Sequence, residues 1–230
     1  MRFASIIPLI GGATLAMQNV LQRKPEYLLS YDAFKENDNH LVQYYKGAVP
    51  YHLYGDNGVP NLPNVEVINT VCPCAGLSSL SPSASSDAAA NDWMLTSANL
   101  VLGTLKPHVF WGENAPGLAS NIGKPVVAKL RKVAEKFGYT FSIYKTKSIL
   151  HGLGQVRNRT FYFFWKGDKV PKFEFIKRET EIPVEFVEYD EFETTRKRVI
   201  ELIDNCQPNR FNSVSNLKKI TNWIKNNAPI

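Results

Sequence analysis

Three short segments of this chain carry side chains that could do chemistry together. Cys74 stands in Pro73-Cys74-Ala75-Gly76-Leu77-Ser78. Downstream come Glu113-Asn114 and then Gln155-Val156-Arg157-Asn158-Arg159. A thiolate is a strong nucleophile, and a carboxyl group in a closed site can keep a proton near neutral pH. Guanidinium groups hold planar oxygens or phosphates. Such a set suits nucleophilic attack on a nucleobase. Each residue also has a plainer explanation: a buried free cysteine, a strand-end carboxylate, arginines flanking an edge strand. Their occurrence together and in this order favours the chemical reading.

Groups so far apart in sequence need a framework that brings them to one place. Apolar runs of four to eight residues alternate with helix-period stretches, the pattern of a βαβ sheet. Strands are expected over 3–9, 27–31, 51–54, 65–70, 108–112, 140–147 and 160–165, the last two as an antiparallel pair. Helices are expected over 13–22, near 39–45, over 93–105 and over 124–137, the first with Leu15, Ala16, Val20 and Leu21 inward. Ligands of such sheets sit beyond the carboxyl ends of the strands, where Asp56, Cys74 and Glu113 fall. The stretch 78–92, rich in Ser, Ala and Asp, reads as a long mobile loop of the kind that often serves function. The fold class is therefore α/β, a mixed and mostly parallel sheet flanked by helices. Residues 1–165 form the catalytic domain. Residues 166–230 form a small C-terminal extension with helices over 190–205 and 213–227, the second capped by Ser213 or Ser215.

Composition narrows the class. The chain has 230 residues, 44% hydrophobic and 12% aromatic, enough to bury a sizeable core and too apolar for a disordered chain. Its net charge of +6 is unevenly spread. Residues 124–178 are rich in Lys and Arg, and 179–204 are acidic. A basic middle can attract a polyanion such as nucleic acid, although a solvated helix face explains it equally well. Cys72, Cys74 and Cys206 are too few and odd in number for a disulfide framework, so a cytoplasmic location is expected. Cys72-Pro73-Cys74 has no second Cys/His pair at zinc spacing, so no metal is expected. The apolar N-terminus reads as a buried strand rather than an export signal. No run of about twenty apolar residues exists to span a membrane.

At these residues the chain resembles the cytosine-C5 DNA methyltransferases, over roughly residues 3–165. Pro73-Cys74 resembles that family's nucleophile motif, Glu113-Asn114-Ala115 its Glu-Asn-Val motif, and Gln155-Val156-Arg157-Asn158-Arg159 its Gln-x-Arg-x-Arg motif. The resemblance implies a Rossmann-like fold and S-adenosyl-L-methionine as methyl donor. It also implies DNA as partner, with the target cytosine flipped out of the duplex. Cys74 would add to cytosine C6, because C5 is a poor nucleophile until something does. Glu113 would engage N3 and the amino group, Arg159 the base O2, and Arg157 the Glu113 carboxylate or a phosphate. Asn114, Gln155, Ser78, Ser79 and Ser81 are further candidates for substrate contact. The base that removes the C5 proton is not identified; an ordered water would suffice.

The same resemblance assigns the donor to the turn Ile7-Pro8-Leu9-Ile10-Gly11-Gly12. Tyr31 would stack on adenine, Asp32 would lie near the ribose, Asp56 would accept from the adenine amino group, and Pro73 would lie alongside. Ile7 stands where the family has Phe, and Leu9 where it has its first Gly, which restricts close backbone approach. The family's recognition domain and late Gly-Asn motif have no counterpart after Trp165. A second subunit supplying them, a non-catalytic nucleic-acid-binding homologue, and an RNA cytosine methyltransferase are therefore the alternative readings.

Overall fold

The computed structural model describes residues 1–55, 58, 61–78, 81–152 and 157–171. The chain divides into two compact units, Met1–Thr180 and Glu181–Ile230. The helices expected over 190–205 and 213–227, with Cys206, lie outside the described residues.

Seven strands form one sheet: β1 (Phe3–Ile6), β2 (Leu28–Tyr31), β3 (Tyr51–Tyr54), β4 (Val67–Thr70), β5 (Val109–Asn114), β6 (Tyr139–Lys147) and β7 (Asn158–Lys166). Their order is β3-β2-β1-β4-β5-β7-β6. The first five run parallel, and β7 is antiparallel to both of its neighbours. The mixed, mostly parallel sheet expected from the alternating pattern is the one observed. β1, β2 and β4 are buried at every position, as strands covered on both faces must be.

The helices α1 (Gly12–Leu21), α2 (Lys35–Tyr45), α3 (Asp92–Leu100) and α4 (Lys124–Phe137) cover the sheet. Leu28 packs with Leu41 and Tyr45 of α2 and with Leu15 of α1. The next residue, Leu29, joins a separate cluster containing Met94 and Ala98 of α3 and Val126, Leu130 and Ala134 of α4. Successive strand residues point to opposite faces, so α1 and α2 lie on one side and α3 and α4 on the other. α4 follows the simplest rule: Val126, Leu130 and Ala134 recur every four residues and are buried, and Gly138, left-handed at φ 75°, ends it.

Three expectations need correction. β1 stops at Ile6, because Ile7 takes a left-handed φ of 49°. In α1 only Thr14 is buried, while Ala16 and Val20 face outward; a helix of small residues carries too weak an apolar stripe to reveal its inner face. The helix expected over 93–105 is α-helical only to Leu100 and closes with a π-helical turn at Val101–Leu105. Among the described residues no helix is long and apolar enough to cross a membrane.

Candidate active site

The strand order reverses between β1 and β4, and in open α/β sheets ligands bind at such a switch point. Both loops of interest leave the sheet there. The turn after β1 and the Cys74 loop after β4 are joined where the Val71 N–H donates to the Ile7 carbonyl at 3.3 Å.

Cys74 is exposed and precedes a single 3-10 turn, Ala75–Leu77. Glu113 lies on the next strand, since β4 and β5 pair with Thr70 opposite Gly112. Asn114 bridges the two: its amide donates to the Pro73 carbonyl at 3.5 Å, and its Oδ1 accepts the Ala115 N–H at 2.9 Å. Asn114 has no exposed surface, so it holds the loop and does not touch substrate, contrary to its assignment as a contact. The neighbouring Cys72 is also buried, with its sulfur near Thr70 Oγ1 (3.4 Å) and Ser97 Oγ (3.8 Å). Of the two thiols, only that of Cys74 is open to a ligand.

Glu113 faces β7. It pairs with Phe161, and Arg159, two residues away on the same strand face, brings its Nε to 2.5 Å from Glu113 Oε1. That oxygen has no exposed surface and, among the described residues, no donor aligned on it. The contact is one of charge, not a directed hydrogen bond. Burial pushes the Glu113 carboxyl above the ordinary range, against the opposing pull of Arg159 and, more weakly, Arg157. The orienting partner is thus Arg159 rather than Arg157. Arg157 is exposed and tied through its backbone, its N–H donating to Ser148 Oγ at 2.9 Å.

The stretch after Cys74 is folded down instead of open. The Ser85 N–H donates to the Gly76 carbonyl at 2.9 Å. The buried Asn91 amide donates to the carbonyls of Ser85 and Ser86 at 2.8 and 3.1 Å. A Cβ on Gly76 would stand 2.5 Å from Asn91 Oδ1, which is why glycine is needed there. Ser78 and Ser81 are half-buried, and Ser81 Oγ lies 3.2 Å from Ser83 Oγ. Ser79, Gln155 and Asp56 lie outside the described residues.

On the donor side, Ile7 and Leu9 take φ of 49° and 52°. These left-handed conformations normally fall to glycine, so the turn takes a glycine-like backbone at two residues that are not glycine. Its anchor went unnoticed in the sequence. Asp38 on α2 has no exposed surface; its Oδ1 accepts the Leu9 N–H at 2.9 Å and its Oδ2 the Tyr51 hydroxyl at 2.8 Å. An acidic residue on a polar helix gave no signal of this. Ile7 is fully buried. Tyr31 is 8% exposed and packs on Tyr54 and Trp93 with ring centroids 5.4 and 5.0 Å apart, so it belongs to the core and offers no free face to an adenine. Gly11 is buried against Leu41 of α2, while Gly12 and Asp32 are open. Nothing lies within 4 Å of where a Cβ on Gly12 would stand, and Asp32 presents an exposed carboxylate at the end of β2.

Comparison with known proteins gives the family and the fold. The profile of the C-5 cytosine-specific DNA methylase family matches residues 1–228, well past Trp165. The fold is similar to that of a prophage-encoded DNA modification methyltransferase from E. coli, with TM-score 0.55 and 19% identity over 72% of this chain and 47% of that one. It is also similar to the Entamoeba histolytica methyltransferase EhMeth, with TM-score 0.57 and 12% identity over 79% of this chain and 57% of the other. The chain thus spans about half the length of these structures. No curated protein matches the sequence.

Proposed function

Because the chain belongs to the C-5 cytosine-specific DNA methylase family, we propose that it methylates C5 of a cytosine flipped out of DNA, with S-adenosyl-L-methionine as donor. The observation that carries this is the pairing of Glu113 with Arg159 at 2.5 Å, on the strand beside the one that leads to the exposed Cys74. A guanidinium so placed can hold the carboxyl group toward the N3 edge of a cytosine.

In this reading the Cys74 thiolate adds to C6, forming the S–C6 bond while the ring electrons move toward C5 and N3. Glu113 in its protonated form, which burial favours and Arg159 opposes, would hydrogen-bond N3 and balance the charge arriving there. Arg159 steadies both the carboxyl and the base O2. Once C5 carries the new methyl group, water takes its proton and the S–C6 bond breaks, returning the thiolate. Bound S-adenosyl-L-methionine supplies the electrophilic methyl group. Gly11, Gly12, Asp32 and Asp56 would hold it, with Asp38 fixing the turn from behind. Residues 166–230 serve as a reduced recognition element.

A duplex with 5-fluorocytosine in place of cytosine tests the proposal, because elimination then fails and the protein stays attached. The expected result is a covalent complex that needs the donor and is lost in Cys74→Ala. A complex that survives Cys74→Ala, or labelling of tRNA instead of DNA by tritiated donor, would overturn it.

A further inference from the structure

We propose that the groove between α4 and the edge strand β6 binds the phosphodiester backbone of duplex DNA flanking the target base. The inference rests on the DNA reading above and adds a surface that the three motifs do not contain.

The groove is an open cavity of about 490 Å³ whose lining includes Ala119, Lys124, Val127, Ala128, Arg131 and Ile143. Lys124, Ala128 and Arg131 are spaced four and three residues apart, so they form one stripe along the helix. Ile143 comes from β6, and strand alternation puts Lys145 and Lys147 on the same face; both are exposed. Lys124 and Arg131 thus line the cavity, and Lys145 and Lys147 extend the same basic face along β6. None of them forms an ion pair among the described residues. Between residues 115 and 152 the single acid is Glu135, a turn beyond Arg131 and not part of the lining.

Position and floor both favour a nucleic-acid backbone. β6 runs parallel to β5, since both are antiparallel to β7. Lys145 and Lys147 therefore approach the same end of the sheet as Glu113, and α4 begins there with Lys124. Glu113 shares a sheet face with Phe161 and Tyr144 and Lys145 and Lys147 lie on the other, so the duplex would pass from the flipped base round this end of the sheet to reach the groove. Apart from Lys124 and Arg131 its lining is uncharged, with Ser120 and Asn121 beside apolar residues, suited to sugar faces while the cations meet phosphates. Phosphate contacts of this type position a duplex without reading its sequence.

The test uses the full chain and a duplex of about 30 base pairs, with affinity measured against salt concentration. One variant replaces Lys124, Arg131, Lys145 and Lys147 by Gln. A control replaces Lys24, Lys35, Lys46 and Lys106 by Gln, removing the same charge away from α4 and β6. The groove variant should lose about one unit of salt slope per cation and bind more weakly across all sequences, while the control keeps most of the slope. Equal losses in both variants, no loss in either, no binding by the parent chain, or a loss confined to structured RNA would overturn the groove. The 5-fluorocytosine complex separates the two proposals. Groove-dependent binding without that complex removes the methylation reading alone, and the complex with an unchanged slope removes the groove alone.

Discussion

The amide of Asn114 reaches the carbonyl of Pro73 at 3.5 Å, so the residue after the carboxylate holds the residue before the exposed thiol. The two loops of the site are therefore joined by one fully buried side chain. Asn114→Ala leaves the buried Ala115 N–H without its acceptor and the Pro73 carbonyl without its donor. It should cost about 1–3 kcal/mol of stability. The rate of covalent capture should fall further, by about a hundredfold, because loop placement within an ångström governs attack. Asn114→Asp keeps the acceptor and loses the donor, so it should restore stability more than rate. Thermal unfolding and single-turnover trapping check the split.

Glu113 and Arg159 predict a pH signature. The protonated carboxyl is the form proposed to act, so activity should fall on the alkaline side as pH rises through its raised pKa. Arg159 pulls that pKa down. Arg159→Gln should therefore move the alkaline limb of the single-turnover profile to higher pH while lowering its plateau, and Arg159→Lys should move it less. An alkaline limb that shifts to lower pH in Arg159→Gln would contradict this electrostatic account.

Asp38 should control stability from beneath the donor turn. Asp38→Ala removes the buried acceptor and leaves the Leu9 N–H and the Tyr51 hydroxyl without a partner, at about 1–3 kcal/mol for each group. Binding of S-adenosyl-L-methionine should weaken along with it. Burial pushes the Asp38 carboxyl up, more than its hydrogen bonds pull it down. The folded state therefore keeps a proton that the unfolded chain has lost. Its contribution is full below the unfolded pKa of about 3.9 and declines as pH rises through the folded value. The unfolding free energy of the parent chain, taken relative to Asp38→Asn, should fall over that window. A rise over the same window would refute the assignment.

Gly112 should tolerate no side chain. A Cβ there would run into the Tyr162 hydroxyl and stand 2.8 Å from Thr70 Cγ2, and both residues are fully buried. Gly112→Ala should cost about 1–3 kcal/mol or more, a Tm loss of roughly 2–4 °C for each kcal/mol in a chain of this size. Pairing it with Tyr162→Phe removes the nearest atom and should recover part of the loss.

Much of the architecture follows from local pattern. β3 and α4 lie where apolar spacing and the Gly138 stop put them, because a strong periodicity with clear ends leaves few alternatives. The motifs of Cys74, Glu113 and Arg159 were legible through their resemblance to the family's own, and the structure adds the pairing of Glu113 with Arg159. Tertiary structure decided what no local pattern encodes. Asp38 pins Leu9 across 29 residues, Asn114 reaches Pro73 across 41, and Tyr31 is claimed by Trp93. Such partners are chosen by where the sheet order sends each loop, so a polar side chain looks the same in sequence whether it meets ligand, backbone or water. The left-handed turn at Ile7 and Leu9 carries the same lesson: packing imposed a glycine-like backbone on residues whose own preference lies elsewhere.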